Sequence, residues 1–493
     1  MDLRRRLVRA RPLALAAIAL SGCTVGPDYT RPAVEAPAAF VYEAKDAADT
    51  ANTLWWKQFG DPVLDALIAE GLANNLDVKV AAANVETAVG VLTQTRSGLF
   101  PQVGYGATAA RQRATEAGAV PAVAGLVPNP QNSYEALLSV SWEIDLWGRI
   151  RRLSESARAN ALATDEARRG VILSLVASVA GNYLTLRGLD EQLAVSKSTL
   201  AAYGESLRLY QLQFQYGQVS QMQVSQVQSQ YETAAVQIPQ IESQIAQTEN
   251  AINVLLGRNP GPVPRGKSVH ELTLPKVPAG VPSELLTRRP DLLQAESQLV
   301  AANAQIGAAK ALYFPTIALT ASGGSASAAL SDLFSGPARV WTFAGQVTGP
   351  IFTFGAVSGQ VAQAEGAQQA ALYGYRNAIV SAFSDVENAL VAAQKLQQQQ
   401  AAQERLVAAL QDYARLAKLQ FDGGYTSYTT VLQAEQSLFP AELTLASVRA
   451  SVFSSNVNIY KAMGGGWVAQ ADALTGPAPT PVRDRDRGVP PPF

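Results

Sequence analysis

Between Arg149 and Phe214 the chain runs without a proline, and Leu186, Leu193, Leu200, Leu207 and Phe214 recur at a strict spacing of seven. Seven residues are close to two helical turns, so these side chains share one face. The pattern predicts a single helix about 100 Å long, at about 1.5 Å per residue, carrying a coiled-coil seam. A second such stretch, Ala356 to Phe421, keeps Leu396, Val407, Leu410 and Phe421 but is diluted with Ala and Gln; its run Gln397 to Gln400 reads as a solvated helix face. Ahead of each long helix the period changes to two. Tyr134, Ala136, Leu138, Val140, Trp142 and Ile144 share one face against Ser133, Glu135, Ser139, Ser141 and Glu143; Trp341, Phe343, Gly345 and Val347 oppose Thr342, Ala344, Gln346 and Thr348. Strict alternation predicts strands. Phe100-Pro101 and Phe314-Pro315 lead into their partners, around Val103–Ala109 and Ile317–Ala321.

The two halves are copies. At an offset of 214, Asp77, Ala88, Phe100 and Pro101 fall on Asp291, Ala302, Phe314 and Pro315. The offset then becomes 207 and holds: Gly148 meets Gly355, Ile172 meets Ile379, Phe214 meets Phe421, Gly217 meets Gly424, Val224 meets Val431 and Gly257 meets Gly464. The seven-residue change falls in one loop, around residues 115 to 130. Each unit reads helix, two strands, long helix, turn, helix, and is too long for a solenoid repeat. Helical periodicity opens near Asp61 with Pro62 in the first turn. Gly217, after Tyr216, and Gly424, after Gly423, suit a helix C-cap with positive φ. Pro239 is expected to kink or break the helix that returns from the first turn.

Strands of about ten residues, apolar on one side and small or polar on the other, match a membrane β-barrel whose polar face lines a lumen. Four strands cannot close a barrel, for which about eight is the working minimum. Either several chains contribute to one barrel, or the sheet belongs to a soluble two-layer domain.

Composition narrows the setting. Arg4, Arg5, Arg6, Arg9 and Arg11 precede an apolar run, Leu13 to Leu20, that is too short to span a bilayer, and Leu20-Ser21-Gly22-Cys23 follows. This is a bacterial lipoprotein signal, with an ordinary secretory signal as the alternative. Cys23 is the chain's one cysteine, so lipid on its thiol would leave no disulfide. Removing residues 1–22 takes five Arg and one Asp from 39 basic and 40 acidic residues, giving 34 against 39, or −5. A mildly acidic chain argues against nucleic acid as a partner. Thr24, where an Asp would stand in a retained lipoprotein, resembles the sequence of those sent to the outer membrane. The Pro- and Ala-rich segment after Cys23 should run extended along a surface, and the Pro-rich, charged end should be disordered.

Catalytic chemistry has little to work with. One histidine, His270, and no free cysteine leave no Ser-His or Cys-His pair and no thiolate or imidazole metal site, and no catalytic residue, metal or cofactor is expected. Gly261-Pro262-Val263-Pro264-Arg265-Gly266-Lys267-Ser268 spells a phosphate-loop pattern. Its two prolines lack the N–H groups such a loop needs, and it follows a helix rather than a strand. It reads as a linker between the halves, with His270 on its surface.

Taken together, the lipoprotein signal, the duplicated unit, the paired Phe-Pro entries and the Gly turns resemble the outer-membrane factors: TolC-like efflux ducts, in their lipid-anchored NodT-type branch. Further matches are Trp55-Trp56-Lys57-Gln58-Phe59-Gly60-Asp61-Pro62, Asn74-Asn75-Leu76-Asp77, Trp142-Glu143-Ile144-Asp145-Leu146-Trp147-Gly148 and Arg289-Pro290-Asp291. The resemblance implies a mainly α fold with a membrane β-barrel portion, in which a homotrimer closes a 12-stranded barrel continued by a long α-helical barrel. It divides the chain into a signal (1–22), a lipid-anchored extended segment (23–59), a first repeat (60–260), a linker (261–282), a second repeat (283–468) and a disordered tail (469–493). It further implies an outer-membrane location, a covalent lipid on Cys23, periplasmic tip turns at Gly217 and Gly424, and a periplasmic adaptor and inner-membrane pump as partners. The expected activity is passive export of drugs or other small toxic molecules. Export of protein through an ATP-driven system would look almost the same, and a trimeric coiled-coil surface lipoprotein without a channel is a further alternative. Copper export would be expected to use methionine, and only Met222 and Met463 remain after residue 22. Members of this family often narrow the entrance with carboxylates just after the second tip turn. Tyr425 to Gln433 here contains none, which leaves Asp422, Thr430 and Gln433 as aperture candidates, with Glu435 flanking.

Overall fold

The structure is a computed structural model that describes residues 24–42, 52–113, 115, 129–277 and 282–475. Cys23 and most of the 115–130 loop lie outside the described residues. The first repeat comprises α1 (Pro62–Asn74), α2 (Leu76–Ser97), β1 (Gln102–Gln112), β2 (Gln131–Ile144), α3 (Arg149–Gln215) and α4 (Gln221–Leu255). The second comprises a single turn at Leu285–Arg288, then α5 (Pro290–Ala311), β3 (Thr316–Ser327), β4 (Arg339–Thr348), α6 (Ala356–Asp422) and α7 (Tyr428–Met463); a short α8 (Trp467–Asp472) ends the described chain. The long helices α3 and α6 are each 67 residues. Each begins after a glycine of positive φ, Gly148 at 77° and Gly355 at 94°, so the duplicated glycines make the same strand-to-helix corner.

The four strands form one antiparallel sheet in the order β1-β2-β3-β4. Its register puts Val103 beside Val140, Val140 beside Ala321, and Ala321 beside Phe343. The apolar sets read from each strand separately therefore merge into one continuous face. Gly104, Ser139, Ser322 and Thr342 form the matching row on the other face.

α3 is the hub of the helical part, packing against α1, α2, α4, α5, α7 and α8. Its heptad seam is only half the interface. Leu189, Ser196, Tyr203 and Tyr210 are buried, also at a spacing of seven and offset by three from the leucines. Along the leucine row burial fades toward the turn, from Leu186 (fully buried) to Phe214 (43 % exposed). The two rows form the a and d positions of a coiled coil, and a serine with two tyrosines hid the second row.

Two expectations are narrowed. Of the kink or break expected at Pro239 the break does not occur: α4 continues through it, as α7 continues through Pro440. Both prolines are exposed, so the carbonyl each leaves unbonded one turn back can be hydrated instead of stranded in a core. Nor does structure end at residue 468: α8 packs on α3, where Arg168 Nη2 donates to Asp472 Oδ2 at 2.8 Å. The chain after residue 475 lies outside the described residues.

The sequence motifs turn out to be joints of this scaffold. Trp55 stacks on Tyr460 at 5.2 Å and meets Trp467 edge-on at 5.9 Å, tying the start of the first repeat to the end of the second. Asp61 is fully buried, accepts from Val63 N at 2.9 Å to cap α1, and accepts the Tyr183 hydroxyl at 2.7 Å and Lys267 N at 3.1 Å. Arg289 reaches Asp291, Asp385 and the carbonyls of Ala382 and Ala462. The phosphate-loop look-alike is thus absorbed into the fold, its Lys267 N–H already bonded to Asp61.

Candidate functional site: the helical tip and the strand layer

Both long helices end in the same way. In α3, Gly217 has φ 69°, Gly217 N donates to Phe214 O at 2.9 Å and Gln218 N to Gln213 O at 2.8 Å. In α6, Gly424 has φ 75°, Gly424 N donates to Phe421 O at 2.9 Å and Tyr425 N to Gln420 O at 2.8 Å. This paired pattern is a Schellman cap, which satisfies the last carbonyls of the helix and needs a left-handed residue. A Cβ at either glycine would touch nothing within 4 Å, so the requirement is one of backbone conformation alone. Ser220 then starts α4 with a full capping box to Gln223, whereas Ser427 starts α7 without a side-chain cap. The second tip is therefore the less firmly fastened of the two.

The tips pack on each other. Tyr210, Val224, Val227, Ala417, Tyr428, Val431, Leu432 and Ala434 form one buried cluster drawn from both repeats. The Tyr210 and Tyr428 rings lie 4.4 Å apart and Phe421 meets Tyr428 at 5.1 Å. Gln230, buried, donates to Leu432 O at 2.9 Å. Around this cluster the aperture candidates are distributed unevenly. Asp422 and Gln433 are exposed, and Thr430 is half-buried with its hydroxyl 2.9 Å from that of Thr426. Glu435 is withdrawn among the helices: its Oε2 is buried with no hydrogen-bond partner among the described residues. Burial pushes its carboxyl above the usual carboxylate range, with Lys418 pulling the other way. In this arrangement Glu435 is half-buried with one carboxylate oxygen withdrawn from solvent, and sequence alone gave no sign of that. The linker's His270 is exposed, with Nε2 3.0 Å from Glu191 Oε1.

At the other end of the long helices, residues 24–42 cross the junction between strands and helices. Val25 N donates to Trp147 O at 3.1 Å, Arg152 Nη2 reaches Asp28 Oδ1 at 2.6 Å, Asn303 Nδ2 donates to Pro27 O at 3.0 Å, and Val41 N donates to Glu387 Oε1 at 2.8 Å. The strap thus touches α3, α5 and α6 in turn. Thr24 rests on Gly148, where an added Cβ would come within 2.8 Å of Thr24 Cγ2. Residue 24 is thereby placed at the β2–α3 corner. Trp147 also bridges the repeats, stacking on Phe314 at 4.6 Å and donating from Nε1 to Pro315 O at 2.8 Å.

This arrangement has known counterparts. The sequence pattern of the outer membrane efflux protein family matches residues 67–258 and 281–465. The antibiotic efflux pump outer membrane protein ArpC of Pseudomonas putida is 38% identical over 466 residues, covering 93% of this chain and 96% of that one. The cation efflux system protein CusC of Escherichia coli O6:H1 is 34% identical over 92% of this chain and 97% of its own. Among solved structures, the open state of the Neisseria gonorrhoeae MtrE outer membrane channel superposes with a TM-score of 0.81 at 32% identity, covering 90% of this chain and 99% of that one. By sequence and by fold, the chain belongs to the outer membrane efflux protein family and is an outer-membrane efflux channel whose helices extend into the periplasm.

Proposed function

We propose that three copies of this chain close one barrel and one helical duct, through which cargo delivered by an inner-membrane pump and a periplasmic adaptor leaves the cell passively. The observation that carries this is the pair of free sheet edges. Among the described residues, nothing pairs with the outer side of β1 or of β4. An open edge in hydrocarbon leaves a row of backbone groups unsatisfied. Four strands from each of three chains give 12, enough to close with a lumen. The helical part asks for the same neighbours, because Leu209 and Leu212 on α3, Tyr216 just after it, and Leu406, Tyr413, Leu416 and Leu419 on α6 are all exposed in a single chain. Light scattering of the detergent-solubilised protein should give a particle of three chains, and planar bilayers should show its conductance. A one-chain particle would overturn the reading.

Within that duct, the turns at Gly217 and Gly424 form the periplasmic tip, and Asp422, Thr430 and Gln433 line its narrowest part. Glu435, turned into the helix packing, does not complete an acidic ring there. Lipid on Cys23 enters the membrane beside the β2–α3 corner, where Thr24 is held. The chain acts as a conduit and carries out no reaction. Its cargo is a drug or another small toxic molecule, a reading in line with the antibiotic pump to which ArpC belongs by name. CusC is named for cation efflux. Here Met222 is exposed and Met463 is buried in the second-repeat core, an arrangement that offers no thioether pair to a soft cation.

A further inference from the structure

The membrane-facing side of the sheet carries two charges, and both stand toward the strand ends remote from the helices, on the two outer strands. On this face run Val103, Tyr105 and Ala107 of β1, Leu138, Val140 and Trp142 of β2, Ile317, Leu319 and Ala321 of β3, and Phe343 and Val347 of β4. Continuing the alternation to the strand ends remote from the helices brings Arg111 on β1 and Arg339 on β4 onto it. The carboxylates of this sheet, Glu135 and Glu143, fall on the opposite face. The three rows of this face nearest those ends hold Arg111 paired with Asn132, then Ala109 and Tyr134 beside Ser327, then Ala107, Ala136 and Ser325 leading to Arg339. Both arginines are exposed, and neither has an ion-pair partner among the described residues. The face therefore passes from mostly apolar side chains to a band of rows in which hydrogen-bonding groups and both positive charges stand among small alanines.

We propose that this band binds the phosphorylated headgroup of a lipid in the outer leaflet. A guanidinium fork matches phosphate oxygens bidentately, and it keeps its charge at the membrane surface. Charge on the lipid-facing side of a strand costs little at the interface and much at mid-depth, and both arginines stand at strand ends. Neutral headgroups would be served by the hydroxyl and amide groups alone; two unpaired cations call for an anion. The proposal rests on reading the sheet as part of a closed barrel. In that barrel β4 of one copy lies beside β1 of the next, so Arg339 and a neighbour's Arg111 flank the same seam.

The full-length protein purified in mild detergent is incubated with lipid A, with its dephosphorylated form, or with inorganic phosphate, and bound lipid is counted by native mass spectrometry. Lipid A is expected to be retained, with weak retention of the dephosphorylated form and no protection by inorganic phosphate. The Arg111→Gln and Arg339→Gln variants should each weaken retention roughly tenfold, about the size of one charge-assisted bond, and Arg→Lys should lose less. Equal retention of both lipid forms by the unaltered protein overturns the proposal without any variant, and so does undiminished retention by the double Gln variant. The same spectra report chains per particle, so a failure of the trimer reading shows in the protein mass and a failure of the lipid site in the adducts.

Discussion

Tyr210, in the last turns of α3, and Tyr428, in the first turn of α7, lie ring to ring at 4.4 Å. They join the ends of helices that belong to different repeats. The second tip lacks the side-chain cap of the first, so this contact is a main restraint on where α7 begins.

Replacing Tyr428 with Ala should therefore loosen the tip. The ring is buried and contacts Phe421 as well, and loss of a buried aromatic costs about 3–5 kcal/mol. Resting conductance in planar bilayers is expected to rise, while Tyr428→Phe, which keeps both ring contacts, should match the parent. An unchanged conductance in the Ala variant would mean that this cluster does not hold the tip.

Glu435 makes the tip sensitive to pH. Its carboxyl is held above the usual range by burial, so the folded chain keeps its proton at pH values where the unfolded chain has lost it. Below the ordinary carboxylate value both forms are protonated and nothing is lost; stability falls as pH rises from there toward the raised value. Glu435→Gln, which cannot ionise, should remove this fall and stabilise the protein at neutral pH relative to the parent. Thermal unfolding at pH 4 and at pH 7.5 checks it: a variant with the parent's difference between the two would sink the assignment.

Charge at the aperture can be supplied by substitution. Thr430→Asp and Gln433→Asp place carboxylates where this chain has hydroxyl and amide groups, and a ring of them concentrates cations in a narrow, low-dielectric opening. Reversal potentials in a salt gradient should shift toward cation preference, with greater block by divalent ions. If neither variant shifts them, these side chains do not line the opening.

Cys23→Ser should weaken membrane retention of the unassembled chain yet leave the fold, because residues 24–42 are held by Trp147, Arg152, Asn303 and Glu387 independently of any lipid. Fractionation after a short expression pulse measures the retention. A mass spectrum showing a bare N-terminus on the parent protein would rule the lipid out.

The sequence by itself determined the periodic parts of this protein. A seven-residue repeat, a two-residue alternation and a fixed offset between halves are local or translational patterns, and each maps directly onto backbone geometry. The long helices, the strands, the turns at Gly217 and Gly424 and the duplicated corner glycines follow from them. Tertiary structure decided what packs on what. Tyr203 and Tyr210 are seam residues because α7 lies across them; their heptad spacing stands in the sequence, but their hydroxyls and the serine between Leu189 and Tyr203 give that row no apolar signature. Pro239 stays inside a helix because its face of α4 is open to water. Asp472 is ordered because Arg168, 304 residues earlier, is buried beside it. Glu435, one of two carboxylates flanking the second tip in sequence, is drawn inward by helix packing while Asp422 stays in solvent. Such contacts depend on which surfaces meet, and that is fixed only when distant segments come together in space.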